Sequence, residues 1–178
     1  MRRGIALIAL ILSGCGGERL PAFRDTLAAR DSATAALAQW CETRGLARPA
    51  RITATLVHGA DARPPADLAH LLGPGAQGPI GYRHVRLACG KTVLSEANNW
   101  YLPQLLTPAM NAALDKTDTP FGTVVEPLHF HREPLAARRG RARGCPAGTV
   151  LSHRALLRLP DSRPLALVEE CYTAANLR

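Results

Sequence analysis

The stretch IGYRHVRLACGKTVLSEANNWYL, residues 80–102, reads as two strands folded back on a tight turn. Ile80 to Cys89 looks like one strand, Gly90-Lys91 makes the turn, and Thr92 to Leu102 returns as the hairpin partner. Successive side chains of a strand face opposite ways, so Trp100 and Tyr101 point to opposite faces of the sheet. Asn98 and Asn99 are poor strand residues; they sit at a bulge or turn their amides to a ligand.

Outward from this hairpin, Asp25 to Arg44 carries Leu27, Ala33, Ala36, Leu37, Trp40 and Cys41 at helical spacing, with Gly45 where a C-cap belongs. Arg51 to His58 alternates as a strand. Ala62 to Gly78 is rich in proline and glycine around a short helical insert, Pro65 to Leu72. Thr107 to Lys116 is helical, with Thr107 as N-cap and Pro108 in the first helical position. Phe121 to Phe130 is expected as a strand and His131 to Ala147 as a polar loop. Thr149 to Leu159 and Pro164 to Tyr172 form a second hairpin around Pro160-Asp161-Ser162-Arg163. There is no internal repeat, and segregated elements of this kind predict an α+β fold: an antiparallel β-sheet with helices packed on one face.

The first residues give an address. Met1-Arg2-Arg3 is cationic, Gly4 to Leu12 is apolar, and Leu12-Ser13-Gly14-Cys15 follows at once. The run is too short to span a bilayer and has the form of a secretory signal. Leu-Ser-Gly-Cys resembles the lipobox of bacterial lipoproteins, which implies cleavage before Cys15 and a lipid on its thiol. The expected organisation is a signal peptide over 1–14, a lipidated tether over 15–24 and a single domain over 25–178. The expected location is the cell envelope, facing the periplasm. Gly16 follows Cys15 instead of the aspartate that retains enteric lipoproteins at the inner membrane, which favours the outer membrane.

Removing the signal takes Arg2 and Arg3 with it and lowers the formal charge from +8 to +6. Arg132, Arg138, Arg139, Arg141 and Arg143 concentrate much of what remains, and such a run reads as a solvated loop. Aromatic residues make up only 4% of the chain, too few for the stacking platforms of a nucleic-acid binder. With Cys15 lipidated, Cys41, Cys89, Cys145 and Cys171 are an even set in an oxidising compartment; one or two disulfides are expected, in any of three pairings. No C-x-x-C pair occurs, and His129 and His131, two apart in the expected strand, have no acidic partner at a ligand spacing. No metal site, cofactor or nucleic-acid partner is expected, and the domain is expected to be a monomer.

Five segments together resemble the chorismate–pyruvate lyase superfamily. They are Tyr82-Arg83-His84-Val85-Arg86-Leu87, Ala97-Asn98-Asn99-Trp100-Tyr101-Leu102-Pro103, Thr119-Pro120-Phe121-Gly122, His153-Arg154-Ala155-Leu156-Leu157, and Leu165-Ala166-Leu167-Val168-Glu169-Glu170-Cys171-Tyr172. The resemblance implies a buried ligand cavity closed by helical flaps, and a cofactor-free lyase that releases pyruvate from chorismate to leave 4-hydroxybenzoate. It places the arginine that grips the ligand carboxylate at Arg83, an acidic partner at Glu170 or Glu169, and a backbone contact to the carboxylate at Phe121. Where the lyases carry a second arginine on the return strand, this chain has Asn98-Asn99.

The residues support a site on their own account. Arg83 can meet a carboxylate bidentately, and a buried Glu169 or Glu170 can stay neutral and donate a hydrogen bond. Asn99 is a further candidate for lining the pocket. Such a site suits a small aromatic or cyclic carboxylate, either turned over by a carbon–oxygen lyase or held without turnover. The plainer alternative is that Arg83 and a glutamate simply pair across the sheet.

Overall fold

A computed structural model describes residues 18–57 and 63–178. The signal sequence and Cys15 lie outside the described residues. Six strands form one antiparallel sheet: β1 (Ile52–Leu56), β2 (Gly81–Cys89), β3 (Thr92–Tyr101), β4 (His131–Arg139), β5 (Thr149–Arg158) and β6 (Pro164–Thr173). Their order is β1-β2-β3-β6-β5-β4, two three-stranded meanders joined where β3 pairs with β6. Both expected hairpins form, β2–β3 on Gly90-Lys91 and β5–β6 on the Pro160–Arg163 turn. The fold is the expected α+β arrangement.

The main helical layer covers one face. It holds α1 (Arg19–Ala28), α2 (Ala33–Thr43), α4 (Pro108–Lys116) and α5 (Phe121–Val124), whose apolar sides meet two clusters on the sheet. Phe23, Leu37, Trp40 and Cys41 pack on Val85, Leu87, Leu94 and Tyr172. Leu114, Phe121, Val124 and Val125 pack on Tyr101, Ala155, Leu157 and Val168. The short α3 (Leu68–Leu72) lies on the opposite face, where Leu68 and Leu72 cover Trp100, Leu156 and Leu167. Trp100 and Tyr101 therefore face opposite ways and are both buried, because each face is covered where they emerge.

Four local expectations change. The single helix expected over Asp25–Arg44 is two, because Ser32 caps α2 by accepting from the Ala35 N–H at 3.2 Å and the chain breaks at Arg30-Asp31. Part of the stretch expected as a tether is helical: α1 starts at Arg19 and seats Phe23 fully in the core. Phe121–Phe130 is not a strand but α5 and a 3-10 turn, Glu126–Leu128, since prolines at 120 and 127 begin both turns and cannot feed a ladder. His129 takes a left-handed φ of 51° and lies outside any strand, so it shares no strand face with His131.

The fourth change matters most for function. The expected polar loop begins as β4, an edge strand that pairs only with β5 and tolerates Pro134 and a bulge between Pro134 and Ala136. Two disulfides form among the four cysteines, Cys41–Cys89 and Cys145–Cys171. The first ties α2 to the end of β2, and the second holds the β4–β5 loop to β6.

Candidate functional site

Register sets which side chains meet. On the helix-covered face Arg83 stands opposite Asn99, Val85 opposite Ala97, and Ala97 opposite Glu170. Arg83 and Glu170 thus share a face, two strands apart and one side-chain pair along. Asn98 and Glu169 face the other side, so Asn99, Phe121 and Glu170 line one cavity, Arg83 shares their face of the sheet, and Glu169 is left out.

Arg83 is 4% exposed. Its Nη1 donates to the Thr119 carbonyl at 3.2 Å, while Nε and Nη2 are buried without a hydrogen-bond partner. No carboxylate lies within ion-pair distance of it among the described residues. Burial therefore lowers its pKa, offset by the more distant Tyr101 and Asp115. Burial likewise raises the Tyr101 phenol. Arg83 does not pair with a glutamate.

Glu170 is paired instead with Arg132 of β4. Nη1 of Arg132 donates to Oε1 at 3.2 Å and Nη2 donates to Oε2, with side chains 11% and 7% exposed. The Tyr172 hydroxyl adds a third hydrogen bond to Oε2 at 2.9 Å. Although burial opposes it, the Glu170 charge holds Arg132 firmly protonated. Burial pushes Tyr172 well up, and pushes His153, which meets the Tyr172 ring edge-on at 5.3 Å, down. Glu170 thus accepts from three donors, two on Arg132 and one on Tyr172.

Sequence reasoning missed Arg132. It sits in an arginine-rich run, and its neighbour Pro134 hides the strand. The usable signal was the alternation of Arg132 and Pro134, which places both on the helix-covered side of an edge strand.

Beside the Arg132–Glu170 pair lies a cavity of about 30 Å3, lined by Asn99, Phe121, Phe130, Arg132, Leu157 and Glu170 among others; Arg83 is buried on the same sheet face but is not in its lining. That is room for a water or two, not for a ring. A surface cleft of about 380 Å3 runs beyond it, and Ser32, Thr34 and Gly122 line both. These residues, at the N-termini of α2 and α5, form the partition. A Cβ on Gly122 would stand 2.7 Å from Ser32 Oγ and 2.9 Å from Thr34 Oγ1, so the close approach requires glycine.

No family model matches the chain. Among curated proteins it is 40% identical over 161 residues to the uncharacterized protein y4mC of Sinorhizobium fredii, a match covering 80% of this chain and 68% of that one. The chain belongs to the y4mC family. Solved structures show the fold of this chain in other proteins. The chain superposes on PhnF from Mycobacterium smegmatis with a TM-score of 0.55 at 14% identity, over 84% of this chain and 66% of that one. It superposes on the effector domain of PhnF with a TM-score of 0.51 at 16% identity, over 80% of this chain and 88% of that one. The shared architecture is the chorismate lyase-like α+β fold.

Proposed function

We propose that this y4mC-family domain holds a small aromatic or cyclic carboxylate on the helix-covered face of its sheet, with Arg83 as the anion's main partner. One observation carries the reading: a guanidinium 4% exposed, with two buried N–H groups unpartnered and no carboxylate beside it. A buried charge normally comes paired, because leaving water is unfavourable by several kcal/mol, of order ~3–5 when a partner is removed. An incoming carboxylate supplies both the charge and the acceptors. Asn99, directly across from Arg83, offers an amide to a second polar group on the ligand. That PhnF uses the same fold for its effector domain agrees with a binding role.

The cavity has only a water-sized space, so the ligand enters a second conformation in which α5 parts from the start of α2. Binding then shifts a pre-existing equilibrium towards the open form.

A second reading is the lyase, and Arg132 is the observation that favours it. Chorismate is a dianion, and Arg132 brings a second cation to the cavity from a strand other than the one where the superfamily carries it. The reaction needs Glu170 and Arg132 to exchange their mutual contacts for substrate. A titration of 4-hydroxybenzoate by calorimetry, beside an assay of pyruvate release from chorismate, separates the two. The binding reading predicts saturable uptake that is lost in Arg83→Ala with no pyruvate released. Pyruvate release that needs Arg83 would establish the lyase, and no uptake at all would remove both.

We also propose that Cys15 carries a lipid that anchors the domain at the cell envelope. Three residues separate Cys15 from the start of α1 at Arg19, four peptide steps with a reach of about 14 Å at most. An intact mass increased by acyl chains on Cys15, and absent in Cys15→Ser, is the expected result.

A further inference from the structure

The opposite face of the sheet carries a feature that the carboxylate site leaves unused. Across four neighbouring strands, His84, Asn98, Glu169 and Arg154 stand in one continuous row. To one side the row meets Trp100 and Leu167 under α3; to the other it meets Glu96 and the Cys145–Cys171 disulfide. Above it lies a trough of about 820 Å3, walled by Arg63, Pro64, Pro65, Trp100 and Arg143. It adjoins a mainly apolar chamber of about 270 Å3 beside the disulfide, and Asn98, Arg143, Arg154 and Glu169 line both.

The floor's charges are matched among themselves. Arg154 donates to Glu169 Oε1 at 3.1 Å and to both oxygens of Asp67 at 2.9 and 2.6 Å. His84 Nε2 lies 2.9 Å from Glu96 Oε1, and Arg86 donates to Oε2 at 2.9 Å. Some capacity is left over. Asn98, 8% exposed, uses its Oδ1 to accept from the Tyr82 hydroxyl at 2.7 Å, which leaves its NH2 as a donor. Glu169, its direct cross-strand neighbour, keeps a second carboxylate oxygen, and burial pushes this carboxyl up. Arg63 and Arg143, at the rim, have no ion-pair partner among the described residues.

A donor and an acceptor side by side in the floor match a carboxamide or hydroxyl group. Two unpaired guanidinia at the rim match an anion, and Trp100 with two prolines matches an apolar or ring-like body. A trough of this volume is of ordinary small-molecule size, and its polar lining suits a polar ligand. We propose that this trough is a second binding site, on the sheet face away from Arg83, for a small organic anion that also carries an amide or hydroxyl group. Arg63 and Arg143 hold its anionic head, and Asn98 and Glu169 hold its amide or hydroxyl.

The test uses hippurate, which joins a ring, an amide and a carboxylate, with benzoate as the probe lacking the amide. Trp40→Phe in the full chain leaves Trp100 as the single tryptophan, and its fluorescence reports on the trough. Hippurate is expected to change that fluorescence saturably, to bind more tightly than benzoate, and to bind at least tenfold more weakly in Arg63→Ala/Arg143→Ala. Both arginines are at the rim, so the double variant keeps the fold, and circular dichroism checks this. The Trp100 fluorescence change, which reports on the trough alone, is expected to be unaffected by Arg83→Ala, whatever that variant does to carboxylate binding on the other face. No saturable change, a change indifferent to the rim arginines, or one abolished by Arg83→Ala would each overturn the second site.

Discussion

Replacing Arg83 with methionine removes a buried charge and fills most of the same volume. A buried ion exchanged for an apolar side chain is typically neutral or stabilising, so Arg83→Met is expected to raise the melting temperature by roughly 3–6 °C, equivalent to about 1–2 kcal/mol. The same variant should lose the stabilisation that 4-hydroxybenzoate gives the wild type. A residue retained at the expense of stability and needed only with ligand present is a binding residue. Thermal melts with and without the ligand check both halves; a lower melting temperature in Arg83→Met would mean that Arg83 holds the fold together. At this scale the resemblance to the chorismate–pyruvate lyase superfamily pointed to Arg83, Phe121 and Glu170, and Asn99 stood out as a poor strand residue. Glu169 and Glu170 were inseparable there, since one residue of register exchanges the faces. Arg132 stayed hidden because a charge run carries no sign of which member is buried.

Among the elements, the proposed binding site would be reached through the contact between α5 and the start of α2. Gly122 packs so close to Ser32 and Thr34 that a methyl group must push them apart. Gly122→Ala is expected to lower stability modestly and to favour the open arrangement. Stopped-flow binding should then show a faster association with 4-hydroxybenzoate than in the wild type; an unchanged or slower rate would place the entrance elsewhere. Both hairpins and α4 were legible because turn residues, alternation and the Thr107-Pro108 cap agree with the tertiary structure. Thr107 accepts from the Met110 N–H at 3.2 Å, as its position implies. The break between α1 and α2 was not legible from periodicity, since the apolar spacing continues across it. Its cause is tertiary: Asp31 accepts from the Arg132 N–H at 2.8 Å, which ties the interhelical turn to the edge strand. β4 was masked for a related reason, as an edge strand buries little and its outward residues read as loop.

For the whole molecule, burial of His153 against Tyr172 sets a pH dependence. Burial lowers the His153 pKa in the folded state, with Glu170 pulling it back up and Arg132 and Arg24 lowering it further. The unfolded chain therefore takes up this proton first as pH falls. The contribution is complete above the ordinary histidine value of 6.5 and is lost progressively as pH drops towards the depressed folded value. Urea melts should show stability declining below about pH 6.5, with a shallower decline in His153→Gln; equal slopes in both proteins would assign the decline to other groups. The α+β class followed from the segregation of strands and helices. The use of both sheet faces did not, because α3 is too short for its periodicity to report a partner. Helices cover one face and α3 with the disulfide-pinned loop covers part of the other, giving two separate concavities on a single sheet.

The most direct test of the account is a proton–nitrogen correlation spectrum of the arginine Nε–H groups, recorded during a titration with 4-hydroxybenzoate. Buried Arg83 should give a slowly exchanging signal, assigned by its absence in Arg83→Lys. The account predicts that this signal moves saturably as the carboxylate takes up the vacant Nε–H, with the Arg132 signal perturbed less. An Arg83 signal that stays fixed while the ligand binds would contradict it, and would put the carboxylate somewhere other than the buried Arg83 guanidinium.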